Sequence, residues 1–208
     1  MKIIIFGSNG KVGSIVVQKA LDAGHYVTAF VHGAANFTEH SNLKIVKGDI
    51  YDPASVKSAF EGSEVIISAL GSWGTPKKDI LSTAMSNIVP AMKNFGIKRI
   101  ISLTGHDARW SKDSVGIINR LTRPMLALVV PKILHDGERH IELLSKSGLD
   151  WTVLRSPVMN EKGAGLYKLT GKRPFPWQTI NRHAVAQALI DQVEGTENLN
   201  EAPFLTRG

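Results

Sequence analysis

A turn with glycine at every third position constrains this chain more than any other feature. The turn spans residues 7–13 and reads Gly7-Ser8-Asn9-Gly10-Lys11-Val12-Gly13. The isoleucine-rich run Lys2–Phe6 precedes it, and apolar side chains at helical spacing follow it up to Gly24. Because a second β-branched run begins at Tyr26, the pattern predicts a strand, a tight turn, a helix and a second strand.

The same alternation continues along the chain. The predicted strands are Lys2–Phe6, Tyr26–Val31, Leu43–Val46, Glu64–Ala69, Arg99–Leu103 and Trp151–Leu154. The predicted helices are Val12–Ala23, Pro53–Glu61, Asp79–Asn94, Asp136–Lys146 and Arg182–Val193. Continuously apolar strands between helices are typical of a doubly wound parallel sheet. We therefore predict one α/β domain over residues 1–208, with 106–134 and 156–181 as substrate-side insertions and Gly163–Trp177 as a loop.

Composition limits the chemistry that the chain can carry. The sequence has no cysteine, which excludes disulfides, thiolate metal sites and cysteine nucleophiles. His135 and His140 are not spaced to share one helix face, so we expect no metal site. The apolar run after Met1 is too short for a signal peptide, and charges and prolines interrupt residues 115–134. We therefore expect a cytoplasmic chain with no membrane partner.

The formal net charge of +7 favours anionic partners. The densest basic group, Lys162, Lys168, Lys172 and Arg173, lacks the context of a nucleic-acid-binding motif. We interpret this group as a solvated face and expect a small-molecule partner and no nucleic acid. The sequence leaves the oligomeric state open.

The predicted context gives the glycine turn a chemical use. Glycines let the backbone turn sharply and approach a pyrophosphate, while the helix N-terminus supplies free N–H groups and positive potential. A tight turn without a ligand is the alternative, because such glycine spacings also arise by chance. The strand before the turn and the helix after it favour dinucleotide binding.

The turn resembles the GxxGxxG fingerprint of atypical short-chain dehydrogenases/reductases, the NmrA-like and NAD(P)-binding group that includes flavin/biliverdin reductase B-like proteins. Further similar segments are Lys47–Pro53, Val65–Gly71, Lys98–Thr104 and Ser147–Arg155. The resemblance covers residues 1–195, most weakly over 106–134, and implies a Rossmann-like sheet of order 3-2-1-4-5-6. It also implies that Asp49 and Ile50 lie near the adenine, and that Ala69, Leu70 and Gly71 lie near the ribose on the nicotinamide side.

The end of the second predicted strand bears on the choice between NADP and NAD. NAD sites usually place an acid there for the ribose 2′-hydroxyl, and NADP sites a cation for the 2′-phosphate. This chain has His32 at that position and no acid until Glu39. His32 is either a phosphate ligand or a solvent-facing turn residue, and Lys11 is a second candidate cation. The absent carboxylate favours NADP, with NAD possible.

The candidate catalytic residues come from the same family resemblance. Short-chain dehydrogenases typically use a Tyr-x-x-x-Lys pair with a nearby Ser or Thr, and in this chain Thr104 is similar to that Ser/Thr. His135 and Arg139 stand where Tyr and Lys would be. We predict Thr104 and His135 as catalytic candidates, because histidine has a suitable intrinsic pKa for a general acid. The alternatives are backbone capping by Thr104 and a structural or solvated His135; His106 and His140 are weaker candidates.

Other residues keep two interpretations. Trp73, Trp110 and Trp177 either line a flat apolar pocket or pack loops on the body. Arg155 stands in a segment similar to the family's cofactor-side turn, and Arg182 is expected to tether a loop. Two functions follow from the resemblance: an NAD(P)H-dependent reductase of a small carbonyl, quinone or flavin-like acceptor, or a catalytically silent NAD(P) sensor. A nucleic-acid-binding protein is a third hypothesis, which rests only on net charge.

Overall fold

The computed structural model describes residues 1–114, 124, 127–163 and 165–208. Its strands are β1 (Lys2–Phe6), β2 (Tyr26–Val31), β3 (Leu43–Lys47), β4 (Val65–Ser68), β5 (Arg99–Gly105), β6 (Asp150–Ser156), β7 (Val158–Asn160), β8 (Tyr167–Thr170), β9 (Thr179–Asn181) and β10 (Phe204–Arg207). Helices in the described part are α1 (Gly13–Asp22), α2 (Pro53–Ser58), α3 (Ile80–Phe95), α4 (Pro131–Ser145) and α5 (Arg182–Asp191).

One sheet organises the molecule, with strand order β3-β2-β1-β4-β5-β6-β10-β8. The first six strands of this order are parallel, which confirms the predicted Rossmann-like order 3-2-1-4-5-6. β10 extends the sheet parallel to β6, and β8 closes the edge antiparallel to β10. β7 and β9 form a separate parallel pair.

The prediction of a loop over Gly163–Trp177 was wrong for Tyr167–Thr170, which forms β8. These four residues are surrounded by glycine and proline, and no local pattern favours a strand there. Pairing with β10, more than thirty residues later in the chain, supplies the hydrogen bonds that make the segment a strand. The predicted insertion over 106–134 includes residues that lie outside the described part of the chain.

Side chains on the two faces of the sheet form two apolar layers. Ile3 and Ile5 pack with α1 and α5, while Ile4 and Phe6 pack with α2, α3 and α4. Alternate residues of a strand point to opposite faces, so a strand covered on both sides is apolar at every position. This is why the isoleucine run of β1 forms the centre of the sheet.

The register of the sheet aligns the ends of its central strands. Phe6 pairs with Ser68, and Ser68 pairs with Ser102, so β1, β4 and β5 reach the same level. The segments after these strands therefore meet at one side of the molecule, which we name the carboxyl edge. Open parallel sheets bind ligands at this edge. Within the described residues, no helix combines the length and apolar character needed to cross a bilayer.

Candidate functional site

The glycine turn is packed too closely for side chains at two of its positions. Gly7 has φ +79°, and a Cβ there would lie 2.9 Å from the carbonyl carbon of Ala69. A Cβ on Gly13 would lie 2.0 Å from the carbonyl oxygen of Gly7, inside any permitted contact. The backbone of β1 thus turns directly against the residues that follow β4, and α1 starts directly against the turn. Only glycine permits both approaches.

Two polar side chains hold the turn in place. The hydroxyl of buried Ser8 donates to the carbonyl oxygen of Ile5 at 2.6 Å. The side-chain amide of Asn9 donates to the carbonyl oxygen of Ala34 at 2.7 Å. The second bond fastens the turn to the segment that follows β2. It therefore brings the turn and the segment containing His32 to the same part of the carboxyl edge.

The N-terminus of α1 is open for an anion. No side chain caps this helix at Val12, and its first turn contains no acidic residue. The first N–H groups of a helix have no partner inside the helix and carry partial positive charge. Gly10 and Lys11 are exposed beside these groups. An anionic group such as a pyrophosphate fits this arrangement of a bare turn and uncapped amides.

The predicted ribose-side segment lies against the turn. The N–H of Ala69 donates to the carbonyl oxygen of Phe6 at 2.9 Å, which continues the pairing of β4 with β1. Ala69 and Leu70 are half-buried, and Gly71 is exposed. The structure thus brings residues 7–13 and 69–71 together, although they are far apart in sequence.

The predicted adenine-side residues follow β3. The carboxylate of Asp49 accepts a hydrogen bond from the N–H of Tyr51 at 2.9 Å. Ile50 is buried, and its carbonyl oxygen accepts from the side-chain amide of Asn87 at 2.7 Å. These contacts fix the backbone after β3 at the carboxyl edge. His32, directly after β2, is exposed.

Thr104 and His135 come from neighbouring elements with different environments. Thr104 is buried in β5, and a Cβ on Gly137 of α4 would lie 2.8 Å from its Oγ1. His135 is exposed, two residues before Gly137 in the same helix. Residues two positions apart in an α-helix are rotated by about 200° around the helix axis, so they lie on nearly opposite faces. The structure therefore brings α4 against Thr104, but His135 and Arg139 lie on the solvent face of that helix.

A comparison with known protein families assigns the chain to a family whose matched region includes the turn. The family model described as NAD(P)H-binding matches residues 7–196, from the first glycine of the turn to just after α5. The chain belongs to this NAD(P)H-binding family. Its similarity to solved structures, at less than 25% identity, shows the Rossmann-like fold.

Three solved structures and one curated relative illustrate the similarity. The oxidoreductase ylbE of Lactococcus lactis has a TM-score of 0.82 at 19% identity, covering 100% of this chain and 91% of that one. ChuY, described as an anaerobillin reductase of Escherichia coli O157:H7, has a TM-score of 0.78 at 18% identity, covering 100% and 97%. A short-chain dehydrogenase/reductase of Veillonella parvula, in complex with NADP, has a TM-score of 0.78 at 18% identity, covering 99% and 94%.

The curated relative is the photosystem II assembly factor Ycf39 of Synechocystis. It is 27% identical over 208 residues, covering 93% of this chain and 59% of the relative. The chain spans from about a third to about three fifths of the length of the first curated relatives it matches.

Short-chain dehydrogenases typically use the tyrosine of a Tyr-x-x-x-Lys pair, and this NAD(P)H-binding protein has His135 at that position. Its three tyrosines lie elsewhere in the structure. The Tyr51 hydroxyl donates to Asp79 at 2.8 Å, and burial together with this bond raises the pKa of its phenol. The Tyr167 hydroxyl donates to Asp191 at 2.6 Å, and the pKa of its phenol is raised for the same reasons. Tyr26 begins β2, at the opposite edge of the sheet.

Two other histidines are buried. The Nε2 of His140 lies 2.9 Å from the Ser102 hydroxyl, and burial lowers the pKa of this histidine to about 4. Burial also lowers the pKa of His106, although the nearby Asp107 carboxylate opposes this shift. Both side chains are thus held neutral inside the protein.

The Arg155 side chain is buried, and its guanidinium is hydrogen-bonded to other parts of the protein. Its guanidinium makes two bonds of 2.5 and 2.7 Å to Asp113 and a third of 2.7 Å to the carbonyl oxygen of Ala202. The interaction is buried, so it ties the end of β6 to the segment that contains Asp113 and leaves little capacity for a cofactor contact. Arg182 forms a bond with Glu161 and donates to the carbonyl oxygen of Met159, which confirms the predicted tether.

The tryptophans divide between the two interpretations. Trp110 packs edge-on against Trp151 at 5.6 Å, so it anchors its loop on the body. Trp73 and Trp177 are 68% and 73% exposed. Phe175 stacks on Trp177 at 4.9 Å, and neither ring is packed into the core.

Sequence reasoning missed a buried carboxylate that accepts four hydrogen bonds beside the site. The buried carboxylate of Asp136 accepts hydrogen bonds from the Ser72 hydroxyl and from the backbone N–H groups of Leu81 and Ser82. It also accepts a bond of 2.7 Å from the Ser82 hydroxyl. Asp136 therefore caps the N-terminus of α3 from another helix and holds the segment after Gly71. The sequence did contain a signal for this residue. Asp136 stands four residues before His140, so both side chains share one face of α4, and both are buried.

Proposed function

We propose that this protein is an NAD(P)H-dependent reductase that transfers hydride to a small carbonyl, quinone or flavin-like acceptor. The observation that carries the proposal is the contact of Gly7 with Ala69 beside the uncapped start of α1. This contact provides a pyrophosphate cradle at the turn and a backbone wall after β4. Thr104 lies at the same edge, two strands away from the turn.

The roles of the residues follow from this placement. The N–H groups at the start of α1 bind the pyrophosphate, and the segment Ala69–Gly71 supports the ribose on the nicotinamide side. Asp49 and Ile50 border the adenine. When bound, the nicotinamide supplies the hydride. The Thr104 hydroxyl orients the nicotinamide or the acceptor. His135 faces solvent on α4, and its sequence-based role as the donor of the proton that a carbonyl acceptor needs is tested by the His135→Ala variant.

NADP is the preferred cofactor in this proposal. The backbone after β2 offers exposed His32 and no carboxylate, and the bond from Asn9 to Ala34 brings this segment to the turn. A 2′-phosphate there would meet the imidazole and no like charge. The short-chain dehydrogenase/reductase of Veillonella parvula is described in complex with NADP, which supports the same preference.

Quinones and flavins suit the site better than simple carbonyls. The phenols of Tyr51 and Tyr167 are held by carboxylates, and His135 faces solvent, so the site offers little protein-assisted proton transfer. A quinone or flavin accepts hydride with small demands on a protein acid. ChuY, which shares the fold, is named as a reductase.

The alternative function is a catalytically silent sensor of NAD(P). The observation in its favour is the solvent-facing position of His135 and Arg139, which replace the expected Tyr and Lys. The two functions differ in turnover, so we suggest assaying NADPH oxidation with a panel of quinones, flavins and carbonyls.

Two variants separate positioning from proton donation in that panel. Thr104→Val should slow every acceptor, by on the order of 10² if the reacting atoms shift by about 1 Å. His135→Ala should slow carbonyl reduction by about 10²–10⁴ if the imidazole donates the proton, whereas the solvent-facing position of His135 predicts a small effect on every acceptor. Equal small effects of both variants would show that neither side chain contacts the reaction. Binding of NADPH without turnover on any acceptor would favour the sensor.

A further inference from the structure

The most exposed apolar side chains of the described residues share one location. They are Leu128 (85% exposed), Val129 (76%), Trp177 (73%), Trp73 (68%), Leu166 (66%) and Val158 (64%). The next most exposed is Tyr26 at 57%, on the opposite edge of the sheet. We name the six side chains the edge patch, because all of them lie at the carboxyl edge.

The first half of the edge patch surrounds the start of α4. Trp73 lies in the segment between β4 and α3. Leu128 and Val129 come directly before α4, whose residue Asp136 binds Ser72 in that same segment. Trp73 therefore lies one residue after a serine that is bonded to α4, and Leu128 and Val129 lie just before the start of that helix.

The second half belongs to the segments after β6. Val158 starts β7 and pairs with Thr179 of β9, two residues after Trp177. The Arg207 side chain, at the end of β10, donates to the carbonyl oxygen of Thr179 at 2.7 Å. At the same strand end, the N–H of Gly208 donates to the carbonyl oxygen of Leu166. Since β10 runs parallel to β6, these residues also lie at the carboxyl edge.

The segments that carry the edge patch are strongly basic. Residues 71–80, 127–135 and 157–181 contain six lysines and one arginine but only two acids. Glu161 pairs with Arg182, and Asp79 accepts a hydrogen bond from the neutral Tyr51 hydroxyl. Arg173 is mostly buried and lies 3.6 Å from Asp107, so the lysines supply the exposed charge. Lys77, Lys132 and Lys162 are exposed among the apolar side chains. The edge therefore presents apolar groups among lysines that outnumber the acids of these segments.

We propose that the edge patch docks on the surface of a lipid bilayer that contains anionic headgroups. Tryptophan side chains favour the membrane interface, and lysines near the surface are attracted to anionic lipids. In a dimer through this patch, the basic edges of two copies would face each other and repel. A nucleic acid would match the charge but would leave Leu128, Val129 and Val158 without an apolar partner. The sequence-based expectation of no membrane partner rested on spanning and signal segments, and a docking surface needs neither.

The proposal does not depend on the proposed reductase. The test measures co-sedimentation of the full chain, without dinucleotide or acceptor, with vesicles of phosphatidylcholine alone or with added phosphatidylglycerol. We expect binding to the anionic vesicles that weakens as salt rises, because surface charge attraction is screened. Trp177→Ser should weaken binding about tenfold, as expected for one large apolar side chain that leaves the interface. Tyr26→Ser, which removes an exposed aromatic ring from the opposite edge, should bind as the native chain does.

Two charge-reversal variants complete the test. Lys132→Glu should weaken vesicle binding about tenfold or more, whereas Lys98→Glu, with the same change of charge at the other edge, should have little effect. Circular dichroism confirms that each variant is folded. No binding to anionic vesicles would overturn the proposal, as would equal losses in Trp177→Ser and Tyr26→Ser. It would also be overturned if the edge variants instead disrupted a dimer or the binding of an RNA oligonucleotide.

Discussion

The carboxylate of Asp136 accepts a hydrogen bond of 2.5 Å from the hydroxyl of Ser72. This contact joins α4, the helix that carries His135, to the segment that directly follows Gly71. It therefore couples the acceptor side of the proposed site to the cofactor side. Asp136 contacts the backbone of α3 as well, so its loss should affect both stability and the shape of the site.

Replacement of Asp136 by alanine should destabilise the fold substantially. Asp136→Ala leaves two buried or half-buried hydroxyls and two backbone N–H groups without their acceptor, at a cost of roughly 3 kcal/mol in the free energy of unfolding. Asp22 is a matched control, because it is an exposed helix residue that accepts a bond from Gln18. Asp22→Ala should cost less than about 0.5 kcal/mol. Urea unfolding curves measure both values, and similar losses would refute the role given to Asp136.

A comparison of two glycines isolates the close approach at the turn. Gly7 and Gly24 have nearly equal positive φ angles of 79° and 78°. A Cβ on Gly7 meets the backbone of Ala69, whereas a Cβ on Gly24 meets nothing within 4 Å. Both alanine variants carry the conformational penalty, but only Gly7→Ala should also raise the Kd for NADPH, by about tenfold or more. Calorimetric titration measures this, and equal affinities would place the cofactor elsewhere.

The proposed role of His32 predicts a cofactor preference that depends on this side chain. The imidazole would bind the 2′-phosphate of NADPH, whereas NADH has no such group. His32→Ala should therefore lower the ratio of NADPH to NADH affinity by about tenfold, and His183→Ala, a change at an exposed histidine of α5, should leave the ratio unchanged. Calorimetric titration with both dinucleotides measures the ratio, and an unchanged ratio in His32→Ala would exclude His32 from phosphate binding.

The stability of the fold should fall in acid because of His140. Burial lowers the pKa of this residue from 6.5 to about 4, so the folded protein keeps it neutral where the unfolded chain binds a proton. The stabilisation is complete above pH 6.5 and is lost as the pH falls toward 4, with a total on the order of 3 kcal/mol. Urea unfolding across this range should show a shallower decline for His140→Gln than for the native chain. An unchanged slope would show that other groups cause the decline.

The sequence predicted the features that depend on neighbouring residues. The isoleucines of β1 and the glycines of the turn define their own conformations, so the strand and the turn followed from local patterns, whereas the strand order came from the resemblance to the family. The start of α4 was predicted at Asp136, five residues too late, although Pro131 suits the first turn of a helix and marks the true start.

Features formed by distant residues escaped prediction. β8 exists because Phe204–Arg207 pairs with it. The burial of Asp136 against Ser72 and the approach of Gly137 to Thr104 depend on how α4 packs across the sheet. Periodicity alone contains no information about these contacts, and the exposed position of His135 follows from the same packing.

The most direct test of the account follows the oxidation of NADPH by the native chain and by Gly10→Val, with menadione as the quinone. A Cβ on Gly10 would lie 3.0 Å from the carbonyl oxygen of Gly7, and a valine side chain would occupy the approach of the pyrophosphate. We predict that the native chain consumes the nicotinamide absorbance over many turnovers, whereas the folded Gly10→Val variant neither binds NADPH nor oxidises it. Equal oxidation by both proteins, or tight binding of NADPH without oxidation by the native chain, would contradict the account.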